Sequence, residues 1–484
     1  MQICRPRLVI AGTSGDSGKT VVSLGLLLAL RQRGTSPVAF KKGPDYIDAA
    51  WLGWAASTPC RNLDTFLQPV AWIHEAVLRH GSDALNLIEG NRGLLDGMDL
   101  EGTHSTASLS RLLRAPVVLV VNATKVTRTV AAVVAGCRQL EPEIDLAGVI
   151  LNQVAGARHE ALTRQAVEQL AGVPVLGAVA RVKHALLPDR HLGLVPPQER
   201  GQLELEQASE QIGRLVGHSV DLDRLVQIAQ GAPPMEAAAS TSDAERATRD
   251  RARIGVFSDS CFTFYYPENL EALEAAGAEL VRISSLDDHA LPDVDGLYLG
   301  GGFPETHAHR LSDNASLRRN VRLAAEASMP IYAECGGLIY LGRELRGPQG
   351  VFPMAGVLPL SLELGRCPAG HGYVELEVSG ANPYFRLGQQ LKGHEFHYTR
   401  VVAADWQSIS LAFEVRRGTG AVEGKDGIVY KNVLGAYTHL HAAGAPEWAP
   451  ALVDRAVSWR GGGPVGRAGG NEQPEEKSSR GSAC

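Results

Sequence analysis

Residues 12–20 read Gly-Thr-Ser-Gly-Asp-Ser-Gly-Lys-Thr, between an apolar run and a helical pattern. Backbone N–H groups in a Gly-rich turn that opens a helix cradle phosphate oxygens, and a lysine there adds a mobile positive charge. Gly12, Thr13, Gly15, Gly18 and Lys19 are therefore expected to hold the phosphates of a nucleotide, with the Thr20 hydroxyl on Mg²⁺. The usual spacing has glycine where this chain has Thr13, with Gly12 one residue earlier; the loop is a variant one residue longer. A metal–triphosphate site also needs carboxylates at neighbouring strand ends. Asp45 and Asp48 follow Lys41-Lys42-Gly43-Pro44, and Glu89 ends a buried-type run, where ligands of open α/β sheets bind. Asp48 and Glu89 join Thr20 as expected metal ligands. Each acid taken singly has a competing reading as a helix or turn cap.

A second constellation lies far along the chain. Residues 331–337 read Ile-Tyr-Ala-Glu-Cys-Gly-Gly, which puts Cys335 on a sharp turn between an apolar strand and a helix, the setting of a nucleophile. The helix N-terminus beyond it is expected to favour the thiolate. The Gly336 N–H, with those of Gly301 and Gly302 in the loop after Leu297-Tyr-Leu, forms an expected oxyanion hole. A base must come from elsewhere, and His439 in Gly-Ala-Tyr-Thr-His-Leu-His (435–441) is the leading candidate. Free cysteine is ordinarily a small buried hydrophobe, and the other six cysteines (4, 60, 137, 261, 367 and 484) keep that reading.

These groups need elements to hold them. Continuous apolar runs at 7–11, 37–40, 85–88, 116–121, 147–151 and 174–176 alternate with helical segments, predicting a doubly wound parallel sheet. Small, polar and Pro-rich composition marks 231–252 as a linker. A second βαβ series begins at Arg253, with strands at 279–283, 296–299 and 330–333. The expected organisation is a phosphate-loop domain over 1–230, the linker, a second α/β domain over 253–460 and a disordered tail over 461–484. Among 484 residues, 44% are hydrophobic and 21% charged, which excludes wholesale disorder. A net charge of −6 argues against bulk nucleic-acid binding. Scattered cysteines exclude a disulfide framework, no apolar run of about 20 residues spans a membrane, and no leader is evident. A cytoplasmic enzyme is expected.

The first half resembles the dethiobiotin synthetase-like group of phosphate-loop amidoligases, and the second resembles class I glutamine amidotransferase domains. Their fusion, with Lys-Gly-Pro-Asp-Tyr-Ile-Asp at 42–48, Arg-Asn-Leu-Asp at 61–64, Phe-Tyr-Tyr-Pro-Glu-Asn-Leu at 264–270 and Ala-Glu-Cys-Gly-Gly-Leu at 333–338, is similar to the cobyrinic acid a,c-diamide synthase family. That resemblance spans about residues 7–445. It implies amidation of the a and c acetates of a cyclic tetrapyrrole, with ATP and Mg²⁺ as cofactors and glutamine as nitrogen donor. It also implies that Cys335 is the glutaminase nucleophile and His439 its base; Asp45 is expected as a catalytic group near the reacting carboxylate. Classical triads have Glu two residues after that histidine; here the position is His441. Residues 89–97 (Glu-Gly-Asn-Arg-Gly-Leu-Leu-Asp-Gly) and 59–62 (Pro-Cys-Arg-Asn) look more like sirohaem-amidating relatives. Arg92, His104 and Arg128 are candidates to pair with substrate carboxylates, His394 and His397 to face the domain interface, and Asn122, Asn152 and Gln153 to read adenine. Cobyric acid synthase-like amidation of other side chains is one alternative, and a non-catalytic nucleotide-dependent regulator is another. The sequence leaves the oligomeric state open, a homodimer included.

Overall fold

The apolar run at the start of the chain becomes β1 (Arg7–Gly12), buried along its whole length in the computed structural model. The structure describes residues 2–182, 187, 189–190, 193–236 and 251–462. Six further strands join β1: β2 (Val38–Lys42), β3 (Arg61–Leu63), β4 (Asn86–Gly93), β5 (Val117–Asn122), β6 (Leu146–Val154) and β7 (Val175–Ala180). They form one parallel sheet in the order β3-β2-β4-β1-β5-β6-β7. Strand order reverses at β1, so its carboxyl end opens a crevice between diverging connections. Helix α1 (Lys19–Gln32) starts there, entered through Gly18 at φ +83°, a conformation that favours glycine. Helix α2 (Tyr46–Ala56) follows β2 and is capped by Asp45, which accepts the Asp48 N–H at 2.9 Å.

The second half is built on β8 (Ala252–Phe257), β9 (Ala278–Ile283), β10 (Gly296–Leu299) and β11 (Ile331–Glu334). Its sheet continues through β12 (Gly370–Val378), β13 (Gln390–His397), β14 (Ser410–Arg417), β15 (Lys425–Tyr430), β16 (Val433–Ala436) and β17 (His439–Leu440). The order is β9-β8-β10-β11-β16-β15-β14-β12-β13-β17. Pairing is parallel from β9 to β16 and antiparallel beyond. This antiparallel wing is absent from the sequence-based expectation, which rested on unbroken apolar runs. Strands such as Gly370–Val378 alternate buried with less buried residues and leave no such run.

The expected linker is shorter than its composition suggests. Met235–Glu236 pairs antiparallel with Gln2–Ile3, and Ala252 already belongs to β8; 237–250 lie outside the described residues. The last helix runs Trp448–Gly462, taking in the first two residues of the expected tail, and 463–484 lie outside the described residues. No helix among the described residues is long and apolar enough to cross a membrane.

Polar side chains lock the two halves together. Arg61, at the start of β3, meets Glu268 at 3.1 Å and Glu271 at 2.5 Å across the seam. Tyr373 donates its hydroxyl to Asp64 at 2.6 Å and stacks on Phe66, and Gln68 lies 2.9 Å from His441. Arg61, Asp64, Gln68, Glu268 and His441 are all buried. Buried charges are tolerated only when paired, and removing one partner strands the other. Arg61→Met should therefore destabilise the protein by roughly 3 kcal/mol, read as a lower urea midpoint, with Glu268→Gln in the same chain recovering part of the loss. Equal midpoints for R61M and wild type would contradict the pairing.

Candidate active sites

In the first half the loop from Thr13 to Gly18 wraps the carboxyl end of β1. The Thr13 N–H donates to Val120 O, and Gly12 O accepts from Leu94 N at 2.7 Å, which ties the loop to the strands on either side. Residues Gly15–Ser17 form a short turn, and Lys19 folds back so that Nζ lies 3.3 Å from Gly15 O. Ser17 Oγ is buried without a hydrogen-bond partner and lies against Gly12, where a Cβ would stand 2.2 Å from it. Asn152 latches this loop from β6, donating to Ser17 O at 2.9 Å. Its amide is thereby committed to the loop, and Asn122 Oδ1 accepts Thr124 N–H, so the sequence-based expectation of adenine readers gains no support at these two residues.

Beside the loop, carboxylates converge on a lysine. Lys41 Nζ, on β2, lies 2.7 Å from both Asp48 Oδ2 and Glu89 Oε1 and 3.8 Å from Asp45 Oδ2. The Thr20 hydroxyl is 3.1 Å from Glu89 and 3.4 Å from Asp48. Burial opposes a charge on Lys41, but Asp48 and Glu89 hold its ammonium well above the usual lysine value. Burial also opposes ionised Asp48, yet Lys41 holds its carboxyl below the usual range. Asp45 goes the other way: burial and the neighbouring Asp48 push it up to about 7. Burial and the Lys41 charge lower Lys19. The sequence reading of Thr20, Asp48 and Glu89 as one cluster matches this geometry. Lys41 at its centre was missed, although two consecutive lysines closing a buried strand were a usable signal.

In the second half three parallel strands end side by side. β10 leads to Gly300–Gly302, β11 to Cys335, and β16 to Thr438 and His439. Cys335 sits at φ +45°, ψ −94°, a strained conformation of the kind that presents a nucleophile on a tight turn. Gly302 has φ +153°, and a Cβ there would stand 1.9 Å from Cys261 O; a Cβ on Gly301 would stand 2.4 Å from His439 Cε1. Side chains are excluded at both. Gly336 packs on the same loop, its Cβ position 3.0 Å from Gly302 N. His394 stacks on His439 with ring centroids 4.8 Å apart, and burial holds it well below the usual histidine value, hence neutral. His397 instead stacks on Tyr437. Among the described residues no cluster of three or more His, Cys, Asp or Glu is arranged to hold a metal.

One expectation is corrected here. The Cys335 thiol is pushed up, not down: burial comes first and the charges of Glu305 and Glu334 add to it, outweighing the Gly336 N–H. The helix after Cys335 is only Gly336–Leu341, too short for a dipole to reverse that. To act as a nucleophile Cys335 therefore needs a base.

One cavity of about 590 Å³ is lined by Asp45 and Asp48 and also by Cys335 and His439. Tyr46 lies between them, stacked on Phe264 at 5.0 Å and 5.3 Å from the His439 ring. Arg92 and His104 line the same cavity, joined by Arg417 and His371, which sequence reasoning missed because they lie on the antiparallel wing. Arg128 does not: it is exposed at the start of the helix Thr129–Leu140.

Residues 8–195 match the family described as the CobQ/CobB/MinD/ParA nucleotide binding domain, and residues 253–447 match the CobB/CobQ-like glutamine amidotransferase domain. A cobyrinate a,c-diamide synthase of Magnetococcus marinus is 42% identical over 460 residues, 94% of this chain and 97% of that protein. The proteins of the same name from Archaeoglobus fulgidus and Methanothermobacter thermautotrophicus are each 40% identical, over 93% and 92% of this chain and 98% of theirs. The chain belongs to the cobyrinate a,c-diamide synthase family, glutamine-dependent ligases that join a nucleotide-binding domain to a glutamine amidotransferase domain.

Proposed function

We propose that the chain amidates the a and c acetates of cobyrinate, using ATP to activate each carboxylate and glutamine to supply the nitrogen. The observation that carries this reading is the cavity shared by the phosphate-side acids and the Cys335–His439 pair. A carboxylate does not accept ammonia directly, because oxide would have to leave. Transfer of the γ-phosphoryl group from ATP to a carboxylate oxygen releases ADP and leaves an acyl phosphate. Ammonia adds to its carbonyl carbon, loses a proton to a base, and expels phosphate. Lys19 and the loop amides from Gly12 to Gly18 stabilise charge on the phosphoryl oxygens. Asp45, pushed up to about 7, is suited to exchange a proton with the reacting group near neutral pH.

Thr20, Asp48 and Glu89 would hold Mg²⁺. The fit rests on chemistry present in this chain: three oxygen donors converge, and Glu89 Oε2 is buried without any partner. When bound, Mg²⁺ supplies charge neutralisation to the phosphates.

At the other end His439 takes the Cys335 proton and sulfur attacks the side-chain amide carbon of glutamine. The oxyanion is met by the N–H groups of Gly301, Gly302 and Gly336. The C–N bond breaks as the proton passes to the leaving nitrogen, giving ammonia and a thioester, which water hydrolyses to glutamate. Arg92 and Arg417 pair with the substrate's other carboxylates.

A second reading concerns the macrocycle. Asn91 and Arg92, where the sequence looks more like sirohaem-amidating relatives, line the cavity itself. Cobyrinic acid, sirohaem and nickel-sirohydrochlorin should each be offered with ATP and glutamine, and the amides counted by mass spectrometry. Two amides on cobyrinic acid support the main reading, and turnover of sirohaem alone overturns it in favour of the second. Cys335→Ala should lower glutamine-driven amidation by more than about 10³-fold yet keep ammonia-driven amidation; equal loss with both donors would sink the division of labour. Lys19→Ala should remove activity with either donor, and undiminished ATP turnover in that variant would contradict the phosphate-loop assignment.

A further inference from the structure

The base His439 needs a partner to fix its tautomer and orientation, and the position two residues onward does not provide one. His441 is turned away into the seam between the halves. Its Nε2 lies 2.9 Å from Gln68 Nε2 and 3.6 Å from Glu268 Oε2, and its Nδ1 accepts the Ala443 N–H. His439 Nδ1 is buried and makes no hydrogen bond in this geometry. The carboxylate beside it belongs to Glu334, the residue immediately before Cys335, with Oε2 at 3.4 Å. Both residues are about as buried as any in the protein, at 1% exposure for Glu334 and 2% for His439.

Glu334 is itself held. Tyr298 donates its hydroxyl to Oε2 at 3.3 Å, Tyr332 donates to Oε1 at 3.2 Å, and the Leu440 N–H donates to Oε1 at 3.1 Å. Tyr332 lies two residues before Glu334 on β11, so strand alternation places both on one face. The Leu440 amide comes from the residue after His439, so the carboxylate is tied to the strand that carries the base. Three donors from β10, β11 and β17 thus aim one carboxylate at one imidazole.

We propose that Glu334 is the positioning residue for His439. A carboxylate only accepts, so it selects the Nδ1–H tautomer and leaves the Nε2 lone pair to take the Cys335 proton. When that proton arrives, the Glu334 charge stabilises the imidazolium. The nucleophile and the group that orients its base are then adjacent in sequence, on a strand end that no change of loop length can separate. This inference rests on the assignment of Cys335 and His439 above.

The charged and titratable groups against His439 are Glu334 from β11, His394 from β13 and Tyr46 from α2, with Cys335 lining the same cavity and Asp426 accepting the neighbouring Thr438 N–H. Of these, Glu334 is the carboxylate within ion-pair distance of the imidazole. Glu334→Gln keeps one oxygen to accept from Tyr332 and the Leu440 N–H, puts an NH2 group in place of the other oxygen, and removes the charge. Glutaminase kcat should fall roughly 100-fold with KM for glutamine little changed, at the low end of what general-base function is worth. The acid limb of the kcat/KM profile should move down by about one pH unit, because losing a nearby negative charge destabilises the imidazolium. Glu334→Asp should recover part of kcat. Ammonia-driven amidation reports that the fold survives. Should E334Q lose that as well, Tyr298→Phe is measured instead; it removes one aiming hydrogen bond without altering charge, and should lower glutaminase kcat several-fold. Cys335→Ala is run alongside: if C335A abolishes glutaminase while E334Q, or Y298F in its place, leaves both kcat and the pH profile at wild-type values, this inference is overturned and the nucleophile assignment stands. If C335A retains glutaminase, the underlying assignment itself fails.

Discussion

The geometry depends on a seam in which charged and polar atoms are buried between two separately folded sheets. Arg61, Asp64 and Gln68, all within eight residues of one another, reach across to Glu268, Tyr373 and His441. Interfaces between domains of one chain are ordinarily polar and mobile. A seam of buried, paired polar atoms resists that, since sliding by even one side chain would strand a charge in low dielectric. Fixing the seam fixes the distance between the carboxyl ends of the two sheets, and the cavity lies between those ends. His441 shows the trade directly: the position that would orient the base in a classical triad belongs to the seam.

Two buried ion clusters then divide the chemistry. On the phosphate side Lys41 pairs with Asp48 and Glu89 and holds the Asp48 carboxyl below its usual range despite burial. On the other side burial, reinforced by nearby carboxylates, keeps the Cys335 thiol protonated until a base acts. Tyr46, one residue after Asp45 and against His439, belongs to both neighbourhoods. In the proposed reaction ammonia is released into this space rather than into bulk water, which preserves the neutral nucleophile that an acyl phosphate requires.

Much of this was legible in the chain because it is local. The phosphate loop, the Cys335 turn and the parallel strands are written in contiguous residues whose spacing has a physical reading. What was not legible is long-range. Arg417 and His371 reach the cavity from the antiparallel wing, whose alternating pattern does not stand out beside unbroken apolar strands. Arg128, attractive as a cation near a strand end, turns to the outside. Glu334 was in view as part of the nucleophile motif, but its proximity to His439 depends on β17 folding back beside β13, a pairing no local pattern announces. Asn152, a candidate adenine reader by its place after a strand, donates to Ser17 O and latches the loop, a contact no local pattern announces.

The proposed reaction passes nitrogen from glutamine to the activated carboxylate inside the shared cavity. It is tested most directly by supplying glutamine labelled with ¹⁵N at the side-chain amide together with unlabelled ammonium, and measuring isotope content in the new amides. The label should match that of the glutamine whatever the ammonium concentration, as long as glutamine saturates the enzyme. Dilution of the label in proportion to bulk ammonium would contradict the account.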